Sequence, residues 1–428
     1  MKDPAPRPPS CFRLVRTFLR ISLLGFGGPN AHLALMMDEV VDRKGWITRE
    51  HFMHLVGVTN LLPGPNSSEV AIHIGHTQRG WRGSLATGLA FLLPTLVLVT
   101  VFSALYFRFG TLPTVEVLFW GLKPAILAVI LAAGWKLGKT ALGIPEQTSY
   151  FLLVLAVGGL LTAFFLDRLE VPAMVLGGIA GWVVLHRRAN GSIGEGGGPS
   201  LDPGEGSEGP ARANEGHPEV EPEGGRGHLR SSGFLLPLAA SSGAAGWMTV
   251  PSLGLLGQLF LLTAGAGAAL FGGGYMLVAL LEPFVVESYG WLTPDQFLDG
   301  IALTQAVPGP IVTLVAFVGY GVAGVPGALV ATFGIYLPSF AAVLLVAPHL
   351  ERWRRVESFR WALKGVNAVV AGAILGVGLA LLRPGLPDRW AAVLFLVALW
   401  GMIRLRLPAV WVVAGGLGAG LLRLVLLG

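Results

Sequence analysis

Glu69, His73 and His76 stand at i, i+4 and i+7, so on a helix they share one face, where a carboxylate and an imidazole could hand on a proton. They could also chelate a cation, but no third and fourth ligands complete the set, and no metal is expected. Just upstream, Pro63 and Pro65 flank Gly64. The prolines remove amide donors, and Asn66, Ser67 and Ser68 then open a new helix with unsatisfied N–H groups and short polar side chains, the outline of an anion site. The same arrangement follows Gly27, Gly28 and Pro29, where Asn30, Ala31 and His32 begin a helix, and recurs in the second half at Gly272, Gly273 and Gly274 and at Pro308, Gly309 and Pro310. These glycines and prolines would equally serve close helix packing or a kink. Gln305 aligns with Asn60, and Thr304 and Thr313 flank the second break. Lys123 and Lys364 occupy equivalent places inside apolar spans of the two halves. A midplane lysine pair would offset the cost of bringing a dianion out of water, though Lys364 could also snorkel to the interface.

The elements that must hold these residues lie in a membrane. Of 428 residues, 53% are hydrophobic and 13% charged, with a mean hydropathy of +0.66, whereas a soluble domain carries about 25% charged residues. Runs such as 152–157 and 395–400 are apolar on every face, which excludes an alternating β-barrel pattern. The single cysteine, Cys11, excludes an internal disulfide or a cysteine-built cluster. Arg13, Arg16 and Arg20 interrupt the first apolar stretch, so a cytoplasmic N-terminus without a cleaved signal is expected. The basic residues sit in short loops, which topology explains without nucleic acid.

Residues 187–232 read as a flexible linker rich in Gly, Glu and Pro. Between Arg187 and Arg230 stand eight acidic and five basic residues, so the rest of the chain is more basic than its total of +5. On either side lie two repeats, 1–186 and 233–428. At an offset of 245, Phe26-Gly27-Gly28 matches Phe271-Gly272-Gly273, Gly45-Trp46 matches Gly290-Trp291, and Pro63-Gly64-Pro65 matches Pro308-Gly309-Pro310. At 244, Leu93-Pro94-Thr95 falls on Leu337-Pro338-Ser339, and further on Trp120 to Lys123 falls on Trp361 to Lys364.

Arg43, Lys44, Arg49, Arg79 and Arg82 have second-half partners without Lys or Arg, and the loop with Arg352, Arg354, Arg355 and Arg360 has a first-half partner whose only basic residue is Arg108. Positive loops that swap sides predict an all-α polytopic membrane protein made of two homologous inverted-topology repeats, with the binding site at their interface. The segment from Glu50 to Arg79 is basic at both ends. Each arm of about 12 residues reaches roughly 18 Å, enough to enter but not to cross a core of about 30 Å, so it is read as re-entrant. The 26–29 segment is either re-entrant or a broken spanning helix. Full spans are expected near 84–107, 117–138, 149–166, 171–186, 234–250, 327–348, 362–382, 390–403 and 407–424.

No phosphate-binding loop, nucleophile elbow or zincin motif is found, so an ion gradient or the substrate's own gradient must supply energy. With these residues in place, Phe26-Gly27-Gly28-Pro29 with Ala31-His32, Asn60 through Pro65, Phe271 through Tyr275 and Gln305 through Pro310 resemble the chromate ion transporter family in its long, two-domain form. The resemblance implies a multi-pass protein of the inner (plasma) membrane that exports chromate from the bacterial cytoplasm, giving resistance, powered by the proton motive force. Sulfate is the isosteric oxyanion, and its uptake or exchange is the rival within transport. An intramembrane enzyme acting on lipid phosphate is the rival outside it, but the breaks hold few titratable groups. The expected partners are the oxyanion, protons and membrane lipid, with no cofactor and no nucleic acid. Two fused halves let one chain suffice and leave a homodimer open.

Overall fold

The computed structural model describes residues 9–26, 28–59, 62–110, 112–142, 146–165, 169–191, 252–271, 274–346 and 357–427. The predicted crossing at 234–250 and nearly all of the linker lie outside these residues. Every described element is helical. Among the described residues, five helices are long and apolar enough to cross a membrane: Asn66–Phe109, Thr114–Leu142, Ile311–Leu345, Trp361–Ala380 and Ala409–Leu426.

The first half opens with α1 (Cys11–Leu24), a break, and α2 (Pro29–Met36), which runs on as a π-helical turn to Arg43. The chain doubles back at the break. Arg20 of α1 lies 3.5 Å from Glu39, and Arg13 and Arg16 share a pocket with Lys44 and Trp46. The hairpin form of the two readings is therefore the one adopted. The next hairpin is α3 (Arg49–Thr59), the Pro63-Gly64-Pro65 tip and the first arm of α4 (Asn66–Phe109). Its ends also meet, since Gln78 Nε2 donates to the Trp46 carbonyl at 3.0 Å and Arg79 Nε to the Pro9 carbonyl at 2.9 Å.

Helix α4 is not one rod. At Arg79 and Gly80 the backbone leaves helical geometry, and Thr87 Oγ1 then reaches the Ala71 carbonyl at 2.7 Å, a separation of 16 residues that a straight helix would spread over about 24 Å. Gly75 and Gly83 touch backbone to backbone at this fold, with no room for a side chain on either. The long arm then matches the expected span at 84–107.

The second half repeats this geometry. It comprises α8 (Leu253–Ala268), a break, α9 (Met276–Glu282) with a π-helical turn to Ser288, α10 (Pro294–Ala306), and α11 (Leu314–Ala341) entered through a single turn at Ile311–Thr313. Ala323 and Gly324 reproduce the bend of Arg79 and Gly80 to within about 5°, and Gly319 and Gly327 repeat the glycine contact. Gly321 lies against Leu292 and Phe107, so this hairpin also starts and ends together. Gly83 stands by the open end of the first-half hairpin, and Phe107 stacks on Tyr320 at the open end of the second. Along α4 these two residues are about 36 Å apart.

The remaining helices interlock the halves. First-half α5 (Pro113–Leu142) packs against second-half α13 (Arg389–Arg404) and α14 (Ala409–Leu427). Second-half α12 (Glu357–Ala380) packs against first-half α6 (Glu146–Phe165) and meets α7 (Glu170–Gly191). Small residues permit this approach: Gly121 faces Gly416 and Gly420, Gly372 lies on Ala156, and Gly365 on Gly177. Helix α7 continues through Arg187 to Gly191, into the stretch read as the start of the linker. Asp388 accepts from Trp120 at 2.9 Å and Arg423 at 3.0 Å, pinning α5 to α13 and α14. On the outside, side chains such as Val154, Leu176, Leu396 and Val425 are more than three-fifths exposed, a surface suited to lipid rather than water.

Candidate functional site

The two Pro-Gly-Pro tips meet the breaks of the opposite halves. Gly64 N–H donates to the Leu270 carbonyl at 2.8 Å, and Gly309 N–H donates to the Gly25 carbonyl at 3.0 Å. Both glycines have positive φ, +147° and +127°, which only glycine adopts readily. Each tip presses on the opposite half's long helix. A side chain at Gly64 would strike the Glu69 carboxylate and the Ser339 hydroxyl, and one at Gly309 would strike Thr95. Thr95 Oγ1 also donates to the Pro308 carbonyl at 3.0 Å and lies 3.3 Å from Ser22 Oγ.

Around these tips opens a cavity of about 440 Å³. Three helix starts line it: Pro29 with Asn30, Pro65 with Asn66 and Ser67, and Pro310 with Ile311. Neither α2 nor α4 has a side-chain cap at its N-terminus, and the positive ends of both helix dipoles border this space. Lys136 and Thr140 of α5 and Asn367 of α12 form a facing wall. Thr59 Oγ1 donates to Asn66 Oδ1 at 2.6 Å and fixes that carboxamide. Gln305 Nε2 donates to the Tyr275 hydroxyl at 2.8 Å, and Tyr275 lines the cavity. Chemically this is a pocket of amide, hydroxyl and ammonium donors with no carboxylate among its described lining residues, which suits an anion.

Of the residues picked from sequence, Pro29, Asn30, Gly64, Pro65, Asn66, Ser67 and Pro310 line this cavity, while Pro63, Pro308 and Gly309 complete the tips. Gly28 caps α2 with φ +83°. His32 is buried, with Nε2 donating to the Gly25 carbonyl at 3.0 Å and the ring edge-on to Phe91. It thus braces the carbonyl that receives Gly309. Gln305 acts on the cavity through Tyr275. Lys123 does not line the cavity; it pairs with Asp295 at 2.7 Å and Asp299 at 3.5 Å, and Asp299 also accepts from Tyr106 at 2.8 Å. Lys364 lies over the Trp361 ring at 3.9 Å, beside the lining residue Leu363. Glu69 is fully buried behind Gly64, with neither carboxylate oxygen hydrogen-bonded among the described residues. His73 follows one turn later, its ring 6.4 Å from that of His76. Gly27, Asn60, Gly272 and Gly273 lie outside the described residues. Among the described residues no group of His, Cys, Asp and Glu is placed to hold a metal.

Lys136, Thr59, Tyr275 and Asn367 were not singled out from sequence. Lys136 carried a signal, a lysine among apolar residues, but at the offset of 241 its second-half partner is Val377, so it belongs to no cation pair.

Interlocked apolar helices around a polar cavity among broken helices define a polytopic all-α membrane protein. The chain belongs to the chromate transporter family, whose pattern matches residues 12–182 and 257–421. It is 31% identical over 416 residues to a chromate transport protein of Cupriavidus metallidurans, covering 97% of this chain and 94% of that one. A chromate transport protein of Pseudomonas aeruginosa is 30% identical over 87% of this chain and 81% of its own. A probable chromate transport protein of Synechococcus elongatus is 28% identical over 90% and 88%. No solved structure matches the chain.

Proposed function

We propose that this chain is an inner-membrane secondary transporter, not an enzyme, that exports chromate from the cytoplasm under the proton motive force. The observation that carries the reading is the cavity between the Pro-Gly-Pro tips, where helix starts of both halves and Lys136 converge. Asn30, Asn66 and Ser67 would hold the tetrahedral dianion through first-turn amides and side chains, Lys136 would balance its charge, and Tyr275 would donate from the far wall. The chain comprises two repeats, 1–186 and 233–428, of inverted topology; the hairpin ends gathered at opposite ends of α4 support this. Alternating access would then rock the interlocked helices past the tips.

The electrical arithmetic favours export. An inside-negative potential of 100 mV acts on two negative charges with about 5 kcal/mol in the outward direction. Glu69 sits directly behind a cavity-lining glycine, one turn before His73, and the pair would carry the proton that moves inward in exchange.

Everted vesicles containing the protein test this. Chromate should accumulate when an interior-positive potential and an interior-acid gradient are imposed, and sulfate should compete. Glu69→Gln should retain potential-driven flux while losing its dependence on pH. Sulfate movement without chromate accumulation would overturn the substrate and the direction.

A further inference from the structure

A second cavity, of about 470 Å³, lies between α1 and the loop after α2, lined by Arg13, Arg16, Thr17, Arg20, Lys44 and Trp46. It shares no lining residue with the cavity between the tips. Among the described residues one carboxylate serves it: Glu39 bonds Lys44 at 2.6 Å and lies 3.5 Å from Arg20. Arg13 and Arg16 have no carboxylate partner among the described residues. Four cations converge on a concave space with one neutralising charge. The same positions at an offset of 245 carry Gln258, Leu261, Gly265 and Tyr289, so the repeat does not require the cluster, and helix packing does not explain it.

We propose that this cavity binds the phosphate headgroup of an anionic phospholipid. A soluble oxyanion would need only the cations, but the pocket also continues onto an apolar strip. On α1, Phe12, Arg16, Arg20 and Leu23 follow one another at helical spacing on one stripe. Phe12 is 75% exposed, and Leu23 and Leu24 are about half exposed. A headgroup held by the arginines leaves its acyl chains along these side chains, and half-buried Trp46, which also lines the pocket, is of the type that anchors in the interface. Basic pockets between membrane helices select anionic headgroups in this way.

The test is titration of the full-length protein in phosphatidylcholine nanodiscs with short-chain phosphatidylglycerol, read by native mass spectrometry and by the shift in melting temperature. Each arginine near an anionic headgroup contributes about fivefold, so Arg13→Gln with Arg16→Gln should weaken binding about thirtyfold. The charge-matched control Arg404→Gln with Arg406→Gln should bind like wild type. Sodium sulfate supplies the soluble-anion arm and should not displace the bound lipid in the mass spectrum. Equal binding by the Arg13 and Arg16 variant, equal loss in the control, or displacement of the lipid by sulfate at matching concentration would each overturn the proposal. Chromate flux does not enter the readout, so its outcome is independent of the transport reading.

Discussion

Replacing Gly309 by Ala probes the contact on which the meeting of the two halves depends. The cost has two parts. Holding a non-glycine residue at φ +127° costs about 1–3 kcal/mol. The new methyl carbon would also sit 2.7 Å from Thr95 Cβ, a buried side chain tied to the Pro308 carbonyl, and overpacking of this kind costs about 1–3 kcal/mol. The total is about 2–6 kcal/mol. Gly80→Ala is the internal control, because φ there is +59° and ψ −148° with nothing within 4 Å of the added carbon, so only the backbone cost of about 1–3 kcal/mol is expected. Thr95→Ala should be mildly destabilising alone, yet combined with Gly309→Ala it removes the collision. The double variant should be more stable than the sum of single effects by about 1–3 kcal/mol, far outside the additivity error of about 0.5. Reversible unfolding in mixed micelles measures all four proteins. Additive effects, or Gly309→Ala no worse than Gly80→Ala, would refute the close approach of tip and helix.

Lys136→Gln should raise the KM for chromate about tenfold to a hundredfold, the loss of one charge-assisted contact, with Arg at that position retaining more activity than Gln. Lys123→Ala should destabilise by about 3 kcal/mol, because Asp299 is left buried without its cation, and Asp299→Asn in that background should recover most of the loss. An effect of Lys123→Ala on KM alone would instead make it a substrate ligand. Glu39 is held below its ordinary value of 4.5, first by the hydrogen bond from Lys44 and then by the charges of Arg20 and Arg43. Its contribution to stability is therefore complete above that value and fades as pH falls through the lower folded value. Stability followed from pH 6 down to about 3 should show an acid limb that Glu39→Gln flattens.

The breaks and the hairpins were legible because their causes are local. Proline removes an amide, glycine takes a positive φ, and basic residues at both ends of a short segment leave it no way to cross. The walls of the cavity were not legible, because they depend on which distant helix lies opposite. Lys123 has the hydropathy profile of a membrane ligand, yet its partners stand 172 and 176 residues further along the chain. His32 looked like a helix-start ligand but turns back seven residues to Gly25. The wall residues also lack counterparts: the helix breaks recur in both halves, whereas Lys136, Thr140 and Asn367 have Val377, Leu381 and Ile126 at their paired positions.

The central claim is one oxyanion site built jointly by the two halves. Equilibrium binding of radiolabelled chromate to the purified protein tests it most directly, comparing wild type with Asn66→Ala in the first half and Tyr275→Phe in the second. The account predicts one chromate bound per chain and weaker binding in both variants. Two independent sites, or binding indifferent to substitution in one half, would contradict it.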